Sequence, residues 1–242
     1  MRPFTLGRLA DIIRLVRAFR GARIEDVEEA MMINKSRAAE LLRQAEEMNL
    51  VKREGELYYS TSLGNTFFEA YSSGDRAKLD EVLSEYPPYF AVKSIISQRS
   101  VDIEELKNLT NLTEVAVDII LRLLQYTHDN LCFVSERVYL SVNELPKLDT
   151  FYSVLKKAYF ELSKNSQWGC SNFFVRVDKV AALVCQELRL SKDDFSKMLS
   201  KLVNSDVYLD LHSEGTGYAF IPFANRKIFP STYKKCYIRL RE

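Results

Sequence analysis

The chain has 242 residues, a formal net charge of +1 and 47% apolar side chains. That length suits one large domain or two to three small ones, and no run of eighteen apolar residues exists to form a membrane span. The start, Met1-Arg2-Pro3-Phe4, lacks the apolar core of a signal peptide, so a cytoplasmic protein without a membrane partner is expected. Cys132, Cys170, Cys185 and Cys236 are widely spaced and form no CxxC, and His128 and His212 are the only histidines. Free thiols are expected, with no metal and no cofactor. Glycine-rich phosphate loops, GxSxG and HExxH are absent, so no catalytic residue is predicted and the chain reads as a non-enzyme.

Leu6, Leu9, Ile12, Ile13, Val16 and Phe19 recur at helical spacing and predict an amphipathic helix ended by Gly21. A short helix follows over Ile24–Met31, with Glu25 and Asp26 in its first turn, where acids suit the helix dipole. Asn34 is placed to cap a third helix from Lys35 to about Met48, with Ala38, Leu41, Leu42 and Ala45 inward. Leu50–Arg53 and Glu56–Tyr59 are β-prone runs joined at Gly55, which predicts a hairpin. Thr61–Gly64 then leads into another helix, ending near Gly74.

The pattern recurs about every eighty residues. Ile24-Glu25-Asp26-Val27 is echoed by Ile103-Glu104-Glu105-Leu106, and Asn49-Leu50-Val51 by Asn130-Leu131-Cys132. The second copy places helices near Tyr89–Gln98, Ile103–Leu109 and Glu114–Tyr126. Arg76–Tyr86 is a linking helix, Pro87-Pro88 form a helix entry, and Glu54-Gly55 is matched to Ser135-Glu136 at the hairpin turn. A third copy places helices over Thr150–Lys164, Asp178–Glu187 and Lys192–Asn204, the last opened by a Ser191/Asp194 variant of the capping box. Its wing is assigned to Tyr208–His212 and Tyr218–Pro222 around Glu214–Gly217, followed by a basic, partly extended tail over 223–242. The loop Asn165–Asn172, with Trp168, is an insertion whose tryptophan either anchors a partner or folds onto its own core. The expected fold is thus mainly α with small β-hairpins, an α+β chain of three tandem modules over 1–75, 76–145 and 146–242.

Helix, helix, helix, hairpin is an order that resembles the winged-helix superfamily, and in particular the multi-copy winged-helix proteins of archaea. Tyr58-Tyr59-Ser60-Thr61-Ser62-Leu63-Gly64 is similar to the wing-to-helix passage of small archaeal transcriptional regulators, a tyrosine, then threonine, two residues and glycine. The resemblance implies DNA binding in many members, with the third helix in the major groove and the wing on the backbone. In others it implies purely protein–protein roles.

Lys35, Ser36, Arg37 and Arg43 stand where a recognition helix meets DNA, and Lys52 and Arg53 lie on the wing. Glu40, Glu46 and Glu47 on the same helix oppose that reading, and ordinary solvated charge is its alternative. Residues 1–75 carry a net −1, residues 76–145 a net −4 and residues 146–242 a net +6. The middle module, with Thr113, Glu114, Asp118 and Arg122 at the equivalent place, reads as an acidic spacer or a protein-binding surface. In the third, Lys192, Lys197 and Lys201 form a candidate stripe. Arg226, Lys227, Lys234 and Lys235, with Tyr233 and Tyr237 interleaved, suit a nucleic-acid backbone. Two functions follow: a double-stranded-DNA binder, used in regulation or as the recognition part of a larger system, or an interaction scaffold. A homodimer through Leu6–Phe19 is an option only if that stripe is not used internally.

Overall fold

The computed structural model describes residues 5–164, 175–205, 209–213 and 236–240. Within these the chain is mainly helical, with a few small antiparallel sheets, and no helix is long and apolar enough to cross a membrane. It forms two compact units. One holds residues up to Ile95 together with Ile103–Leu131, and the other holds Ile96–Asp102 together with the chain from Cys132 onward. Residues 76–145 contribute to both.

The first unit starts with α1 (Leu6–Ala18), α2 (Ile24–Met31) and α3 (Lys35–Glu47). Leu9, Ile12 and Ile13 of α1 are wholly buried, as are Val27 of α2 and Leu42 of α3. Each helix has one apolar stripe, so closure on its neighbours supplies the stability that its own propensity lacks. The α1 stripe is therefore spent inside this unit and is not a free dimer face. The hairpin β1 (Val51–Glu54) and β2 (Leu57–Ser60) pairs Val51 with Ser60 and Glu54 with Leu57. Ala22, just ahead of α2, exchanges both backbone hydrogen bonds with Tyr58. Helices α4 (Ser62–Ser73), α5 (Arg76–Ser84), α6 (Pro87–Gln98), α7 (Ile103–Thr110) and α8 (Glu114–Thr127) follow. The proline pair opens α6, where the missing N–H costs nothing.

In the second unit, β3 (Val101–Asp102), β4 (Leu131–Val134) and β5 (Arg137–Leu140) form a sheet of order β3-β5-β4. Then come α9 (Leu148–Lys164), β6 (Val175–Arg176), α10 (Val177–Leu188) and α11 (Lys192–Val203). Phe151, Tyr159, Val180, Phe195 and Ile238 are among the buried residues of one apolar cluster that these elements close. Strands β7 (Leu209–Ser213) and β8 (Cys236–Leu240) complete a sheet of order β6-β8-β7. Here the structure adds a pairing to the sequence reading. The strand paired with β7 is β8, with Leu211 opposite Ile238, and Tyr218–Pro222 and Trp168 lie outside the described residues. The end of the supposed basic tail is the central strand of a sheet, because Ile238 and Leu240 are core residues. The short strands β3 and β6 were not foreseen either, since two residues carry no periodic signal.

The local geometry repeats along the chain. Between α2 and α3, α7 and α8, and α10 and α11 stands a three-residue turn of one form. Its first residue is left-handed: Met32 at φ +50°, Asn111 at +53° and Arg189 at +50°. An apolar residue comes next, and then a polar N-cap: Asn34 (φ −74°, ψ 157°), Thr113 (−73°, 156°) and Ser191 (−67°, 160°). Each cap side chain accepts the backbone N–H three residues on, from Arg37, Ala116 and Asp194. Each time, too, the residue or short strand preceding the earlier helix pairs with the last strand of a hairpin or sheet. The hairpins Val51–Ser60 and Leu131–Leu140 correspond residue for residue, so the turn partner of Gly55 (φ +63°) is Ser135 (φ +56°). The sequence echo beginning at Asn130 is one residue out of step.

The passage after the first hairpin has a steric cause. Thr61 Oγ1 accepts the Gly64 N–H at 2.9 Å and donates to the Asn49 carbonyl at 2.7 Å. A Cβ on Gly64 would collide with the Leu50 carbonyl oxygen. Gly64→Ala therefore forces backbone apart and should cost about 2–3 kcal/mol in urea unfolding. Ser135→Gly should raise stability by about 0.5–1 kcal/mol, and Gly55→Ala should lower it by a similar amount, because only glycine adopts that φ without penalty.

Candidate nucleic-acid interface

The sequence-predicted cations of the first helix–turn–helix are in place but largely neutralised. Lys35, the first residue of α3, meets Glu25 of α2 at 2.6 Å. This contact holds the Glu25 carboxyl below its usual range and the Lys35 ammonium above its own. Arg37 is half-buried against Glu40 at 2.9 Å, Arg43 pairs with Glu47 at 2.9 Å, and Lys52 with Glu54 at 2.6 Å. Arg53 instead donates Nε to the Gly55 carbonyl at 2.9 Å and lies over the Tyr58 ring, 5.7 Å from its centroid. Ser36 is exposed. Residues 24–60 hold five basic against nine acidic side chains, so the field over this face is not positive.

The third helix–turn–helix differs. Lys192, Lys197 and Lys201 are all exposed on α11. Lys197 meets Asp194 at 2.8 Å, while Lys192 and Lys201 have no ion-pair partner among the described residues. Lys197 and Lys201, four apart, share a face turned from the buried Phe195 and Leu202. Asp194 is occupied twice over, since Ser191 Oγ also donates to it at 2.7 Å, and these contacts outweigh its partial burial to keep its carboxyl low. Arg226, Lys227, Lys234 and Lys235 lie outside the described residues. In the middle copy Arg122 pairs with Asp118 at 3.0 Å.

Cys132 and Cys185 are free thiols among the described residues. Burial pushes Cys185 up to about 12 and also raises Cys132. Among the described residues no three of His, Cys, Asp and Glu converge on a point that would hold a metal.

The sequence reading missed a polar cluster in the first unit. Asp80 of α5 accepts from Tyr89 Oη of α6 at 2.8 Å and from Lys93 Nζ, and lies 3.5 Å from His128 Nε2. Thr127 Oγ1 of α8 is 2.8 Å from both Tyr89 Oη and His128 Nδ1. Three helices are thereby joined by side chains from distant parts of the chain, a pairing that no local motif announces. Burial is the main cause that raises the Tyr89 hydroxyl and lowers His128.

No family model matches this chain, and no curated protein matches it.

Because burial lowers the His128 pKa in the folded state, protonation favours unfolding. The stability it contributes is complete above the ordinary histidine range, about pH 6.5, and is lost as pH falls through its lowered folded value. Urea midpoints at pH 7.5 and 5.0 should therefore differ more for the wild type than for His128→Gln.

Proposed function

We propose that this chain is a non-enzymatic, cytoplasmic double-stranded-DNA-binding protein, a transcriptional regulator or the DNA-recognition subunit of a larger system. In this reading it comprises three tandem winged-helix modules, and the third bears the DNA. The observation that carries the proposal is the exposed lysine set on α11, the helix that follows a capped turn in the +6 segment of the chain. A helix so placed enters a major groove with its first residues toward the bases, while lysines along it meet phosphates. The Lys197–Asp194 pair is no obstacle. Exposed pairs of this kind contribute about 0–1 kcal/mol, so a phosphate displaces the carboxylate at small cost. The first module, with four of its five candidate DNA-contacting cations already paired to acids, has the smaller part.

A second reading, a protein scaffold, is favoured by apolar side chains at the other two turns. Met32 is 92% exposed, and Leu109 and Val115, on either side of Asn111, are 50% and 41% exposed. Replacing Leu109 and Val115 by aspartate should abolish co-elution with a partner from native extract if that reading holds.

The DNA reading is tested by anisotropy with a labelled random duplex between about 50 and 200 mM salt. Affinity should fall steeply, and a Lys192→Gln/Lys197→Gln/Lys201→Gln variant should lose about two to three units of the log–log salt slope. Lys35→Gln/Arg43→Gln should change it by less than about one unit. Absence of binding by the wild type at the lowest salt overturns the proposal.

A further inference from the structure

The second unit contains a cleft of about 470 Å³ lined by Ser100, Arg137, Arg189 and the apolar side chains Val154, Ala158 and Leu183, among others. Arg137 of β5 and Arg189 at the end of α10 are both partly buried. Neither has a carboxylate partner among the described residues. Arg137 Nη1 donates to the Ser100 carbonyl at 2.9 Å, and Arg189 Nη1 donates to the Ser97 carbonyl. Each guanidinium is thus fixed by a neutral acceptor and keeps further N–H donors. Ser100 Oγ, beside the Arg137 anchor, is buried and has no hydrogen-bond partner. Two partly desolvated charges in one concavity, with no carboxylate partner among the described residues, are costly unless an anion completes them.

The remaining charges lie further out. Lys157 of α9 and Glu187 of α10 cancel each other at 2.9 Å, Arg99 is exposed, and Glu161 is an exposed carboxylate of α9. Arg189 occupies its place against local preference, since φ +50° suits glycine or asparagine better. The turn geometry alone does not ask for arginine there.

We propose that this cleft binds a small phosphate-bearing organic anion. Its phosphate is held by Arg137 and Arg189, and its apolar or ring portion lies on the wall of Val154, Ala158 and Leu183. Planar forks suit phosphate oxygens, and the volume falls within the range of small-ligand sites. The site is independent of the DNA reading.

The test uses the full chain with adenosine monophosphate, inorganic phosphate and adenosine as probes, read by calorimetry and by thermal shift at up to about 10 mM. Adenosine monophosphate should bind, inorganic phosphate should bind about tenfold or more weakly, and adenosine should not bind at all. Arg137→Gln and Arg189→Asn should each weaken binding at least about tenfold, and Glu161→Gln should strengthen it severalfold. Arg189→Asn retains a residue that tolerates the left-handed turn. Its melting temperature without ligand should equal or exceed that of the wild type, so a binding loss there is not misfolding. Should that variant not fold, Arg137→Gln decides the matter. The proposal is overturned if neither phosphate compound binds, if inorganic phosphate binds as well as the nucleotide, or if binding survives these substitutions unchanged. A loss of DNA affinity alone in the arginine variants, without nucleotide binding, overturns it too.

Discussion

The angle at which each helix pair presents its second member depends on one left-handed residue followed by a side-chain cap. Continuing the earlier helix through Met32, Asn111 or Arg189 would carry the next segment past its buried position. The positive φ breaks the run, and Asn34, Thr113 or Ser191 then satisfies an N–H that the new helix leaves unpaired. A non-glycine residue at such a φ is disfavoured by roughly 1 kcal/mol, and a good cap contributes about as much in the other direction. The turn is close to neutral by itself, and the apolar stripes on either side decide that it forms.

Much of this was legible in the sequence because its causes are local. The α1 periodicity, the Asn34 and Ser191 caps, the proline pair before α6 and the Gly55 turn each act within a few residues, and the corresponding elements lie where those signals put them. What was not legible depends on distance. β3 and β6 are strands only because β5 and β8 come to lie beside them. The Asp80 cluster needs three helices together before its members meet. Strand β8 joins its sheet for the same reason: the core takes Ile238 and Leu240 from further along the chain than any local cue reaches.

The candidate site shows the same division. Sequence spacing located the cations of α3 and α11, but could not say which of them were already engaged. Lys35 and Glu25 are ten residues apart and are brought together by the turn, whereas Lys192 and Lys201 have no ion-pair partner among the described residues. Net charge by segment pointed to the third copy, and side-chain pairing strengthens the contrast between it and the first. Arg137 and Arg189 drew no notice in the sequence, because an arginine is unusual only when its surroundings deny it a counter-ion.

Strand β8 bonds to β6 on one side and to β7 on the other, which gives the chain a particular order of assembly. During synthesis on the ribosome, β6 and β7 emerge well before the strand that must lie between them. Until β8 has emerged, the backbone groups of β6 and β7 that bond to it lack that partner, and the apolar cluster lacks Ile238 and Leu240. Non-local closure of this kind is slow relative to helix pairing. The nascent second unit therefore passes through an interval with two open sheet edges, the state in which unpaired strands are most prone to join a foreign chain.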